Sequence, residues 1–158
     1  MPRQPGSWHI PDMVKPFAFK LDKVLDYREQ LEEQAKAALL KAKADRDAQA
    51  ARMAEMETSL VAHMAKEKDS RRTSNDMWLW RQYKEALEQD ISIARLELNS
   101  LELNLQRCRA QAVERSKDKK LLEKLKSTQA KKHHEEESAR EEKENDEMAT
   151  IRYESKDF

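Results

Sequence analysis

Beyond residue 16 this sequence has neither proline nor glycine: all four prolines and the single glycine fall within the first sixteen positions. Nothing from Phe17 to Phe158 therefore breaks a helix by backbone chemistry. The same absence excludes a glycine loop of the kind that cradles phosphate. Cysteine is nearly absent too; Cys108 stands alone, so no internal disulfide can form, and a reduced, cytoplasmic protein is expected. No apolar run approaches the roughly 20 residues that span a bilayer, and the N-terminus lacks the apolar core of a secretory signal, so no direct membrane insertion is expected. Aromatics make up 6%, charged residues 39%, and mean hydropathy is -1.05. That leaves too little apolar surface for a layered core, whereas two helices sharing a narrow seam need far less.

What is present is a heptad pattern. From Met77 a 4-3 spacing runs through Trp80, Lys84, Leu87, Ile91, Ala94, Leu98, Leu101, Leu105, Cys108 and Ala112, fades at Arg115 and Lys119, and returns at Leu122. Such a stripe marks a helix that packs on a partner helix. An earlier stripe reads Leu21, Val24, Arg28, Leu31, Ala35, Ala38 and Ala42, weakens through Asp45 and Gln49, and recovers at Met53, Met56 and Leu60. The one-residue shift on recovery predicts a stutter. Polarity of this degree also suits disorder, but sustained heptads rich in Ala, Leu, Glu and Lys favour helix. For the last thirty residues the two readings stay open.

The expected organisation follows. Residues 1–16 are a proline-punctuated tail, helix one runs from about 19 to 68, and helix two from about 77 to 150. Between them, 69–76 (DSRRTSND) is the only interior segment dense in turn formers, with Ser74, Asn75 or Asp76 as the helix cap. A turn this short returns the second helix antiparallel. The fold class is thus all-α: a long antiparallel two-helix coiled coil, an α-helical hairpin, with a polar C-terminal helical extension and a short tail over 154–158. Folding at the turn pairs residues whose numbers sum to roughly 145 by this geometry, which sets Leu98, Leu101 and Leu105 against the alanine-rich stretch of helix one. The seam residues are Leu21, Val24, Leu31, Ala35, Ala38, Ala42, Leu98, Leu101, Leu105 and Leu122. Ile93, Leu96 and Leu103 fall off that seam, on outward positions, and mark a contact with another protein.

Chemistry is what the sequence does not offer. Catalysis needs convergent groups in a water-excluding recess, and a thin hairpin has none, so no enzyme is expected. His133–His134 lacks a third ligand at metal spacing, and neither metal nor cofactor is expected. Charge is balanced overall but uneven: residues 107–132 hold ten Lys/Arg against three acids, and 135–147 hold eight acids against two bases. The basic run carries no aromatic residue for base stacking, which argues against nucleic acid.

Four stretches also resemble a known family. KPFAFKLDKVLDYREQLEEQAKAAL opens helix one, MWLWRQYKEALEQDISIARLEL opens helix two, RCRAQAVERSKDKKLLEKLK follows, and KENDEMATIRY closes the chain. In order and spacing these are similar to the flagellar export protein FliJ family, over about residues 15–153. The resemblance implies a stalk like the γ subunit of rotary ATPases, peripheral to the export apparatus at the inner membrane. It would insert in the hexameric export ATPase (FliI), promote its assembly and hydrolysis, contact the export gate (FlhA) and bind export chaperones. Aligning the hairpins puts the gate patch on Gln49, Met53, Met56, Leu60, Tyr83, Leu87, Asp90 and Ala94. The stalk proteins of virulence secretion systems look alike, and a generic self-associating coiled-coil scaffold is the alternative of another class.

Overall fold

The computed structural model describes residues 15–154. The expected N-terminal tail lies almost wholly outside them, as do residues 155–158. After a short non-helical stretch, helix α1 runs Asp22–Ala65. A turn of 3-10 helix covers Glu67–Arg72, and helix α2 runs Ser74–Glu154. No strand occurs among the described residues. The two helices pack against each other as an antiparallel hairpin, so the partner for each stripe is supplied within the chain.

Thr73 makes the reversal. Its backbone is extended (φ -134°, ψ 160°), and its Oγ1 accepts a hydrogen bond from the Asp76 N–H at 3.1 Å. That is the geometry of an N-cap, in which a hydroxyl satisfies one of the free amides of the first turn. Thr73 therefore holds the capping role expected of Ser74, Asn75 or Asp76, which are already inside the helix or at its first position.

The chain divides into two compact units, one covering Tyr27–Lys119 and the other joining the stretch up to Asp26 with the stretch from Lys120. Within the first, α2 carries the expected stripe without interruption: Met77, Trp80, Lys84, Leu87, Ile91, Ala94, Leu98, Leu101, Leu105, Cys108, Ala112, Arg115 and Lys119 are all buried or half-buried. Leu105 is the most enclosed side chain, 1% exposed.

Helix α1 corrects the sequence reading. Its buried or half-buried positions run Arg28, Glu32, Ala35, Leu39, Ala42, Arg46, Gln49, Met53, Met56, Leu60 and His63, an unbroken 4-3 alternation. No stutter is needed. Ala38, expected on the seam, is exposed, and Leu39 takes its place; Leu31 is half-buried beside Glu32. The expectation slips because its count starts from Leu21 and Val24, which puts Leu31, Ala38 and Asp45 one residue short of the seam positions Glu32, Leu39 and Arg46.

The second unit is built differently. Phe19 and Leu25 are buried there, each 7% exposed, whereas Leu21 and Val24, both expected on the seam, lie exposed at 38% and 41%. The non-helical lead-in explains this: Phe19 turns in before the helix begins, and the register that follows carries Leu25, not Val24, inward. Leu122 is half-buried. Lys126 sits 5.9 Å from the Phe19 ring centre and pairs with Asp22 at 2.7 Å, while Phe17 meets His133 at 5.8 Å. Cation and ring faces attract through the ring quadrupole. From Ala139 to Tyr153 α2 is exposed on every side, a polar helical extension with no covering element among the described residues.

Candidate functional site

With so thin a core, the informative groups are the polar ones on the seam. Gln49 is 5% exposed, and its Nε2 donates both to the Ala94 carbonyl at 3.3 Å and to Glu97 Oε2 at 2.9 Å. Arg28 reaches Asp118 at 2.5 Å, and Arg46 reaches Glu102 at 3.5 Å. Glu32, 5% exposed, lies between Lys36 of its own helix at 2.9 Å and Lys119 of α2 at 3.1 Å; Lys119 also approaches Glu29 at 3.8 Å. Hydrogen bonds from Lys36 and then Lys119 favour the ionised carboxylate and hold the Glu32 carboxyl down to about 2 from 4.5.

At the turn end the same job is done by rings. Trp80 Nε1 donates to the His63 carbonyl at 2.9 Å, and the His63 ring Nε2 meets the Trp80 carbonyl at 2.8 Å. A carbonyl only accepts, so the imidazole proton sits on Nε2. The His63 ring stacks on Trp80 at 5.1 Å and meets Tyr83 edge-on at 4.6 Å, geometries that aromatic quadrupoles favour.

These pairs also measure the register. Partner numbers add to 143 for Gln49 with Ala94 and for His63 with Trp80, to 146 for Arg28 with Asp118, and to 148 for Arg46 with Glu102. A buried polar group left unpaired by a slip costs about 1–3 kcal/mol, so Glu32 and Gln49, both buried, penalise a shifted alignment more than the partly exposed pairs of Arg28 and Arg46. A search for apolar heptads misses Glu32, Arg46 and His63 as register markers. The signal that finds them is a strict 4-3 count: run back along α1 from Leu60 it lands on Arg46 and Glu32, and run forward its next step is His63.

The expected gate patch is drawn together only in part. Gln49 and Ala94 are buried, and Met53, Met56, Leu60 and Leu87 are half-buried on the seam, so these six hold the hairpin together. Tyr83 and Asp90 are exposed. Gln49, Arg52, Met56, Asp90, Ile93, Ala94 and Glu97 line one open groove where the helices meet. Ile93, Leu96 and Leu103 all face solvent, at 56%, 71% and 63% exposure.

No group of three or more potential metal ligands occurs among the described residues. His133 stands 3.9 Å from Glu137, one turn further along the same helix. No helix among the described residues is long and apolar enough to cross a membrane.

A family model described as "Flagellar FliJ protein" matches residues 17–157. Comparison with curated proteins and with solved structures gives no match.

Proposed function

The chain belongs to the FliJ family of flagellar proteins, and from that membership we propose that it is the non-catalytic stalk of a flagellar type III export apparatus. In this reading it enters the hexameric export ATPase (FliI), promotes ring assembly and ATP hydrolysis, and connects the ring to the export gate (FlhA) and to export chaperones. It acts in the cytoplasm, beside the inner-membrane apparatus.

The observation that carries the reading is the match over residues 17–157 of a chain whose helices fold back on each other. A stalk must resist shear between its helices, and the rungs at Arg28, Glu32, Arg46, Gln49 and His63 supply such resistance because sliding leaves each without its partner. The basic run 107–132 suits an acidic ring lining, an attraction that governs approach and orientation more than affinity. For the gate, Tyr83 and Asp90 are the members of the expected patch with solvent-facing side chains.

The test is to mix the full chain with the export ATPase and measure hydrolysis. A faster rate, together with a complex on size-exclusion chromatography, is expected. An unchanged rate with no complex would overturn the stalk reading.

A further inference from the structure

Within the Tyr27–Lys119 unit, α2 has a second stripe on the side away from α1. Leu79, Gln82, Ala86, Gln89, Ile93, Leu96, Ser100 and Leu103 repeat at 3-4 spacing, all exposed and none charged. In a sequence that is 39% charged, an uncharged line of this length is a departure. Five large side chains on this outer surface, Trp78, Leu79, Ile93, Leu96 and Leu103, are between 52% and 71% exposed. Scattered apolar residues on a surface need no explanation, but a row at helical spacing does.

The charges that α2 itself places beside that stripe are of one sign. Between Trp78 and Asn104 the α2 positions flanking it carry Glu85, Asp90 and Glu97 and no lysine or arginine, and Glu97 accepts a hydrogen bond from Gln49 of α1. The bases of this stretch lie on the seam or its opposite flank. Lys84 pairs with Glu88 at 3.7 Å beside Trp80; Arg81 and Arg95 share the other flank, where Arg95 reaches across to Glu57 of α1 at 3.8 Å. Arg52 of α1 lines the same groove as Asp90 and Glu97 but pairs with neither. The outer surface is therefore apolar along its middle, and the charges that α2 adds at its border are acidic.

We propose that this outer face of α2, from Leu79 to Leu103, docks a basic amphipathic helix of a partner protein. A helix is the occupant because the apolar residues form a single line along a helix axis, the arrangement that receives ridges from another helix. At 1.5 Å per residue the line is about 36 Å long, which suits a partner segment of about 25 residues. The partner is basic because neither Glu85 nor Asp90 has an ion-pair partner among the described residues, whereas Glu97 is already held by Gln49. A second copy of this chain is disfavoured by the same charges, since face-to-face pairing sets Glu85, Asp90 and Glu97 against one another with Arg52 the one base beside them in that groove. This surface is distinct from the seam and goes beyond the stalk reading; it stands or falls separately from ATPase stimulation.

The test uses the full chain and two labelled synthetic helical peptides with leucine at 3-4 spacing, one with lysine and one with glutamate at every other position. Fluorescence anisotropy should show binding of the lysine peptide and none of the glutamate peptide. Leu96→Asp should weaken the lysine peptide about tenfold or more, as should the double variant Glu85→Lys with Asp90→Lys, a loss of about 1.4 kcal/mol. Because these side chains face solvent, both variants should keep the wild-type melting profile by circular dichroism, so a loss of binding reports the surface itself. Glu141→Gln, Glu142→Gln and Glu144→Gln together should leave binding unchanged. If that control loses the peptide while the face variants keep it, the acidic run has captured it and the proposal is wrong. Equal binding of both peptides, no binding at all, or a wild-type dimer by light scattering that Leu96→Asp dissolves would each overturn it too.

Discussion

Near the turn the two helices meet through rings and hydrocarbon; toward the far end of the same unit they meet through charge. The first section sets Met53, Met56 and Leu60 on one helix and Trp80, Leu87 and Ile91 on the other along the seam, closed by the reciprocal His63–Trp80 bonds. The second has Arg28, Glu32 and Lys119 at the equivalent positions, tied by Arg28–Asp118 and by Glu32 between two lysines. Apolar burial is favourable but nearly indifferent to register, since one methyl replaces another at little loss. Ion pairs add little net stability but fix which residue lies opposite which. The turn-proximal section thus adds apolar adhesion to the His63–Trp80 rung, and the distal section is aligned mainly by charge.

The comparison is broken most severely between the two sections, at Leu105. Register brings this side chain, 1% exposed, opposite Ala42, where few neighbours can collapse into a void. Leu105→Ala should cost about 3 kcal/mol of stability, read by thermal or urea unfolding. A change below about 0.5 kcal/mol would mean the seam is not packed as described.

Trp80→Phe keeps most of the apolar bulk but removes the bond to the His63 carbonyl, and should cost about 1 kcal/mol in the same measurement. A smaller, pH-dependent effect belongs to Glu32→Gln. The carboxyl is held at about 2 in the folded chain against 4.5, so its contribution is complete above about 4.5 and is lost as pH falls through about 2. Wild type should melt above the variant at pH 6, and the gap should close near pH 2. A gap of equal size at both values would show that shape, not charge, is what Glu32 provides. The smallest effect is expected at Arg95, largely exposed and 3.8 Å from Glu57: Arg95→Ala should change stability by less than about 0.5 kcal/mol.

How far the sequence can be read differs between the helices in a way this contrast explains. On α2 the stripe is mostly apolar, and counting from Met77 finds every buried or half-buried position through Ala112. On α1 the seam takes Glu32, Leu39 and Arg46, so a count begun at Leu21 settles on Leu31, Ala38 and Asp45 and then needs a stutter to reach Met53. Leu21 and Val24 go astray for a related reason, because Phe19 packs from a non-helical lead-in that a helical period cannot anticipate. Of the interaction residues, spacing sets Ile93, Leu96 and Leu103 away from the seam, where all three face solvent, but it does not reveal that Arg52 of α1 comes to lie beside Ile93.

The missing prolines and glycines, the heptads and the turn formers of 69–76 were enough to determine two helices and the place where they reverse, because backbone chemistry and side-chain period are local properties. Which residue stands opposite which was decided only when the helices met. A lysine from α2 makes Glu32 a seam residue, a carboxylate of α2 does the same for Arg46, and neither partner is near in sequence.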